Sequence, residues 1–165
     1  MTIDEARLKG VLNDWLQRAA LKDLGEFLVS VSHPSVVVRT PNGQIGGPEL
    51  IRDYTGHLKV AFPDLEMEVD HLAVMGDRVV LQFTLEGKHT GPLGFILPTQ
   101  RVVRAPAALI ARVEEDELIH ELWAYLNMAV ALVGQINANF PGVATPFPGV
   151  GSVGFPLPPQ APHGG

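Results

Sequence analysis

Between two apolar runs the chain reads Gly87-Lys88-His89-Thr90-Gly91-Pro92-Leu93-Gly94, one imidazole and one hydroxyl among three glycines. Imidazoles exchange protons near neutrality, so His89 can protonate an enolate or deprotonate an activated carbon. A glycine-rich connection between strands can close over a pocket and bring such a group to its mouth. Further on, Glu121-Leu122-Trp123-Ala124-Tyr125-Leu126-Asn127 alternates at period two. Ile119, Glu121, Trp123, Tyr125 and Asn127 then share one strand face, and Leu118, His120, Leu122 and Ala124 the other. The first set mixes aromatic rings, an acid and an amide, as a pocket wall with a few polar groups does. The second set reads as packing.

On such an apolar wall the Glu121 carboxylate would have a raised pKa and serve as a base, unless an arginine pairs with it. Trp123 and Tyr125 would contact substrate, with core packing the bland reading of Trp123. Asn127 cannot take a proton from carbon, but it can donate to a developing oxyanion or hold a water. Tyr54 and His57 stand three apart in a helical pattern and are neighbours on one face. They join the candidate substrate contacts, with Trp15 on an earlier helix. His33 precedes a proline and reads as a turn residue, His71 is in phase with apolar neighbours and reads as structural, and His163 receives no role.

The elements that must position these groups follow from spacing. Thr2-Ile3-Asp4-Glu5 reads as a capping box, and Leu8, Val11, Leu12, Trp15, Leu16 and Ala19 continue at helical period. Leu21 to Val31 forms a second short helix. Ser35 to Thr40 is strand-like and ends at the turn Pro41-Asn42-Gly43. Gly47-Pro48 opens a third helix, with proline where a missing N–H costs nothing, and Pro63 stops it. From Leu65 the period becomes two: a strand to the turn Gly76-Asp77, another over 78–86, the glycine-rich loop, then strands over 100–113 and 117–126. Met128 to Asn137 can close as a helix. Helices first and long hairpin-linked strands afterwards predict an α+β fold, N-terminal helices packed in a strongly curved, mostly antiparallel sheet that makes a cone-shaped barrel.

Composition bounds the function. The chain has 165 residues, 46% of them hydrophobic, enough for one domain with a real core. A net charge of -6 argues against nucleic-acid binding. The absence of cysteine removes disulfides and thiolate metal sites, and six scattered histidines lack the close pairing of a zinc site, so no metal is expected. No dinucleotide fingerprint, Walker loop or nucleophile elbow occurs. The charged N-terminus lacks a secretory apolar stretch and no run is long enough to span a membrane, so a cytoplasmic protein is expected.

Residues 1–138 read as one barrel domain and 139–165 as a separate tail, in which 13 of 27 residues are proline or glycine. Phe-Pro recurs at 140, 147 and 155. Each such ring is worth roughly 1.5–3 kcal/mol when buried, which favours docking on the barrel or on a second subunit over a disordered tail.

Gly47-Pro48-Glu49, Ala61-Phe62-Pro63-Asp64-Leu65, Gly87-Lys88-His89-Thr90-Gly91, Pro98-Thr99-Gln100-Arg101 and Glu121-Leu122-Trp123, in this order, resemble the SnoaL-like polyketide cyclases of the nuclear-transport-factor-2-like superfamily. The resemblance runs from about residue 5 to about 137. It implies a cone-shaped barrel, a homo-oligomer (dimer or tetramer), an apolar pocket at the wide end and a small apolar, polyketide-derived substrate. It also implies chemistry without a cofactor, an intramolecular aldol in which an aspartate is the acid/base and histidines polarise the substrate. The chain departs from the pattern at that aspartate, four residues after the motif tryptophan, where it has Asn127. Gln100 replaces a motif glycine, and Arg39 stands where members often carry a histidine. With the aspartate absent, His89 and Glu121 are the expected acid and base, with Asn127 and Trp123 orienting substrate. A hydratase, hydroxylase or ring-opening enzyme with the same pocket is the alternative, and a binding protein without catalysis the third reading.

Overall fold

The structure is a computed structural model and describes residues 2–19 and 23–139. The proline- and glycine-rich tail, its three Phe-Pro phrases and the domain boundary drawn for it lie outside the described residues, apart from Asn139. The elements are α1 (Glu5–Ala19), α2 (Leu24–Ser30), β1 (Ser32–Arg39), β2 (Ile45–Gly46), α3 (Pro48–Ala61), β3 (Glu66–Met75), β4 (Arg78–Lys88), β5 (Val102–Val113), β6 (Ile119–Tyr125) and α4 (Met128–Asn139). One curled sheet runs β2-β1-β6-β5-β4-β3, antiparallel throughout except where β1 lies parallel to β6. This is the α+β architecture expected. No helix among the described residues is long and apolar enough to cross a membrane.

The helices start where side chains can satisfy the free amides of a first turn. For α1 the cap is Asp4, whose Oδ1 accepts from Arg7 N at 3.0 Å. Thr2 instead pairs with Glu114 as an isolated bridge, so the expected capping box at Thr2 does not form. Asp23 Oδ1 caps α2 by accepting from Gly25 N and Glu26 N. Pro48 occupies the first turn of α3, and Phe62 N closes its end on Leu58 O at 2.8 Å.

Leu8, Leu12 and Trp15 of α1 belong to one buried core with inward residues of the long strands, Phe83 and Leu85 of β4 and Leu109 of β5 among them. On β5 the odd positions from 103 to 113 are buried and the even ones point out. Register carries that alternation across the sheet and decides which face of β6 turns inward. Glu121 lies opposite Arg112, Trp123 opposite Ile110 and Tyr125 opposite Ala108, all on the outer face, while Leu122 is 2% exposed in the core. The face expected to line a pocket is therefore the outside of the sheet. The same effect moves His71. An irregularity between Val69 and His71 shifts the phase of β3, and His71 is exposed rather than structural.

Candidate active site

The outer face of β6 is an electrostatic cluster. Glu121 Oε1 accepts from Arg112 Nε at 2.8 Å and Oε2 from Arg39 Nη1 at 3.2 Å. The Arg112 hydrogen bond, opposed by partial burial and helped by both guanidinium charges, holds the Glu121 carboxyl below its ordinary 4.5. The raised pKa expected for a replacement base is thus reversed, because arginine pairs the carboxylate. Trp123 lies between two guanidinium groups, Arg39 and Arg78, each 5.0 Å from its ring centroid. Tyr125 is 53% exposed on this surface. Among the described residues, none of the three lines the cleft beside α3, the apolar cavity inside the cone or the depression along α1.

His89 is fully buried, at 0% exposure. Thr99 donates to its Nδ1 from the backbone N at 3.2 Å, and the Thr99 hydroxyl lies 3.0 Å from the same atom. Nδ1 is therefore an acceptor, the ring hydrogen sits on Nε2, and Nε2 has no hydrogen-bond partner among the described residues. Burial lowers the His89 pKa and favours the neutral ring, which packs 5.3 Å from Phe62. His89 does not line the mouth as expected but sits beneath the loop and fixes its base. Thr90 N and Gly91 N both donate to Ala61 O at the end of α3, at 3.0 and 3.1 Å. A Cβ on Gly91 would lie 1.9 Å from Val60 O, so only glycine allows this approach. The loop is anchored at its base, and its tip turns through Gly94 at φ +59.

That tip reaches the site. Leu93 and Gly94 form one wall of a cleft of about 430 Å³ whose other walls are Leu50, Asp53, Tyr54, His57 and Leu58 of α3, the turn at Pro41 and Asn42, and Asn127 to Ala129. Its volume falls in the range of small-molecule sites. Tyr54 and His57 of α3 and the sequence-distant Asn127 all line it. Trp15 does not, since it lines an apolar cavity of about 70 Å³ inside the cone that includes Phe27, Met67 and Leu109. That cavity is too small and too apolar for acid–base chemistry. A third depression, along α1, contains Arg7 and Glu117, which are committed to each other at 2.8 Å.

Three polar side chains in the cleft have hydrogen-bonding partners that constrain their roles. His57 Nδ1 lies 2.6 Å from Asp53 O, one turn back in α3. A carbonyl oxygen only accepts, so Nδ1 carries a hydrogen, and in the neutral ring the lone pair is on Nε2. Asn127 Oδ1 accepts from Val130 N at 3.1 Å, capping the first turn of α4. With its oxygen engaged by Val130 N, Asn127 offers its amide hydrogens to the cleft. The Tyr54 hydroxyl donates to Leu126 O at 2.7 Å and ties α3 to the segment that presents Asn127. Burial raises the Tyr54 pKa and keeps the phenol protonated. Asp53, on the cleft wall one turn from His57, was missed by the sequence reading. Its i,i+4 relation to His57 is the signal that could have found it.

Residues 6–136 match the family described as SnoaL-like polyketide cyclase. Among solved structures the chain is similar to AclR, a proposed hydroxylase from Streptomyces galilaeus, at 22% identity and a TM-score of 0.67, covering 84% of this chain and 85% of that one. It is similar to IdmH, a proposed polyketide cyclase from Streptomyces antibioticus, at 20% identity and a TM-score of 0.63, covering 79% and 98%. A nuclear-transport-factor-2-like protein from Burkholderia thailandensis shares 13% identity at a TM-score of 0.61, covering 78% and 96%. At these identities the likeness shows the fold. No curated protein matches the chain.

Proposed function

Because the chain belongs to the SnoaL-like polyketide cyclase family, we propose that its cleft between α3, the 93–94 tip and Asn127 catalyses acid–base chemistry on a small, mostly apolar carbonyl compound. The observation that carries this reading is the pair of fixed roles: a lone pair on His57 Nε2 and a donor on Asn127, lining one cleft. In a ring closure, His57 Nε2 takes a proton from the carbon beside a substrate carbonyl. The enolate oxygen accepts from the Asn127 amide, an interaction strengthened as charge develops. The enolate carbon then bonds to a second carbonyl carbon of the same molecule, and its oxygen takes back the proton from the His57 imidazolium. No atoms or electrons are left over.

Leu50, Leu58, Leu93 and Met128 supply apolar contact for the substrate body. Tyr54 is a positioning residue, since its hydroxyl is committed to Leu126 O. His89 is one as well, through the loop it anchors. A hydration or hydroxylation is the second reading, with a water on the Asn127 amide in place of the enolate oxygen.

Nitrobenzisoxazole tests the constellation without knowledge of the natural substrate. A base removes its ring C–H proton, the N–O bond opens, and a cyanophenolate oxygen forms that needs a donor. Wild-type protein should accelerate this opening, His57→Ala should lose about 10²–10⁴-fold of the acceleration, and Glu121→Gln should lose none. Equal rates for wild type and His57→Ala would overturn the assignment. Saturable binding of the probe without acceleration would favour a binding protein.

A further inference from the structure

The cleft lies at the C-terminal ends of the parallel strands β1 and β6, and their N-terminal ends carry a second cluster. The rings of His33 and His120 stack with centroids 4.4 Å apart and planes 20° from parallel. His120 Nε2 lies 2.9 Å from Asp116 Oδ2, and His120 Nδ1 lies 3.7 Å from Glu114 Oε1. One ligand atom from each of His33, Asp116 and His120 falls within 4.8 Å of the others. We propose that these three side chains bind a first-row divalent ion, zinc by preference, and clamp the start of β1 to the β5–β6 turn.

The donor set is two imidazoles and one carboxylate, a combination zinc accepts with tetrahedral geometry and room for a fourth ligand. Zinc bonds of about 2.0–2.2 Å place tetrahedral ligand atoms roughly 3.4 Å apart, so the cluster needs to contract by little more than an ångström. The ion would enter where His120 Nε2 now meets Asp116. On the other side of His120, Glu114 Oε1 lies 3.7 Å from Nδ1 and is paired with Arg112, a negative charge beside the site but not a hydrogen bond to the ring.

One adjustment is required. The lone pairs of stacked rings run side by side, so His33 must turn about its Cβ–Cγ bond to share an ion with His120. The turn releases one hydrogen bond, from Ser35 N to His33 Nδ1 at 3.1 Å, at an exposed residue where water replaces it. The clamp would act where pairing is weakest, since the β1–β6 register is irregular between Ser32 and Val37.

The test uses the untagged, EDTA-treated full chain with zinc chloride as the only added ion. Calorimetry should show one ion per chain, and Tm should rise with zinc concentration because the ion binds the folded state. His120→Ala and Asp116→Asn should abolish that rise and His71→Ala should keep it. Nitrogen-15 shifts of His33 and His120 in the wild type read ligation directly and do not depend on how well any variant folds. Zinc binding of unchanged affinity in His120→Ala, no one-to-one binding up to millimolar zinc, or unmoved His33 and His120 nitrogens would each overturn the proposal.

Discussion

Replacing Gly91 by alanine tests whether the loop over the cleft is a braced wall rather than a free lid. The new methyl would sit 1.9 Å from Val60 O and 2.8 Å from Val60 C, both backbone atoms of α3 that cannot rotate away. The loop must lift by more than an ångström, breaking the bonds from Thr90 N and Gly91 N to Ala61 O. Two backbone hydrogen bonds at a net 0.5–1.5 kcal/mol each put the loss at about 1–3 kcal/mol. For a chain of this size that lowers Tm by roughly 2–12 °C. Urea unfolding with circular dichroism measures the first quantity and calorimetry the second. The movement also carries Leu93 and Gly94 off the cleft, so acceleration of nitrobenzisoxazole opening should fall in parallel. Gly94→Ala is the control, since a methyl there meets nothing within 4 Å and only the φ of +59 opposes it. A Gly91→Ala protein with the stability and rate of the wild type would refute the brace.

Three further changes separate the other assignments. Asn127→Ala removes the cap on α4 and should cost about 0.5–2 kcal/mol, whereas Asn127→Asp keeps a capping oxygen and should hold stability while altering the pH profile of catalysis, as unfolding curves and pH–rate measurements would show. Gln100 holds φ 60 where the family motif has glycine, so Gln100→Gly should raise unfolding free energy by about 0.5–1 kcal/mol, relief of left-handed strain outweighing the added freedom of the unfolded chain. Glu121 has its folded pKa depressed below 4.5 chiefly by Arg112. Its contribution to stability is therefore present above pH 4.5 and lost as pH falls through the depressed value, and Glu121→Gln should flatten that acid limb in Tm measured against pH.

Much of the architecture could be read locally. Leu8, Leu12 and Trp15 mark the face of α1, Pro48 and Pro63 bracket α3, and the turn at Gly76-Asp77 separates β3 from β4. Tyr54 and His57 were placed together by helical spacing alone, and the structure puts both on the cleft. What failed depended on partners distant in sequence. Period two sorted Glu121, Trp123 and Tyr125 from Leu122 and Ala124, but only register against β5 decides that the first set faces outward, where Arg39, Arg78 and Arg112 meet it. Asn127 stays accessible to the cleft because it lies past the end of β6, where strand alternation no longer applies. The glycines around His89 suggest a loop that closes over a pocket, yet its ring is buried against Phe62 and Thr99, neither adjacent to it in sequence. His33 stacks on His120 across 87 positions of sequence, a proximity that only the parallel pairing of β1 with β6 creates.

A crystal structure with a bound aromatic phenolate, a stable mimic of an enolate, tests most directly whether the cleft is the active site. The expected result is a phenolate oxygen about 3 Å from Asn127 Nδ2, with the carbon skeleton against Leu58, Leu93 and Met128 and an edge facing His57 Nε2. A ligand bound on the outer face beside Trp123 and Glu121, or in the cavity beside Trp15 with the cleft left to solvent, would contradict it.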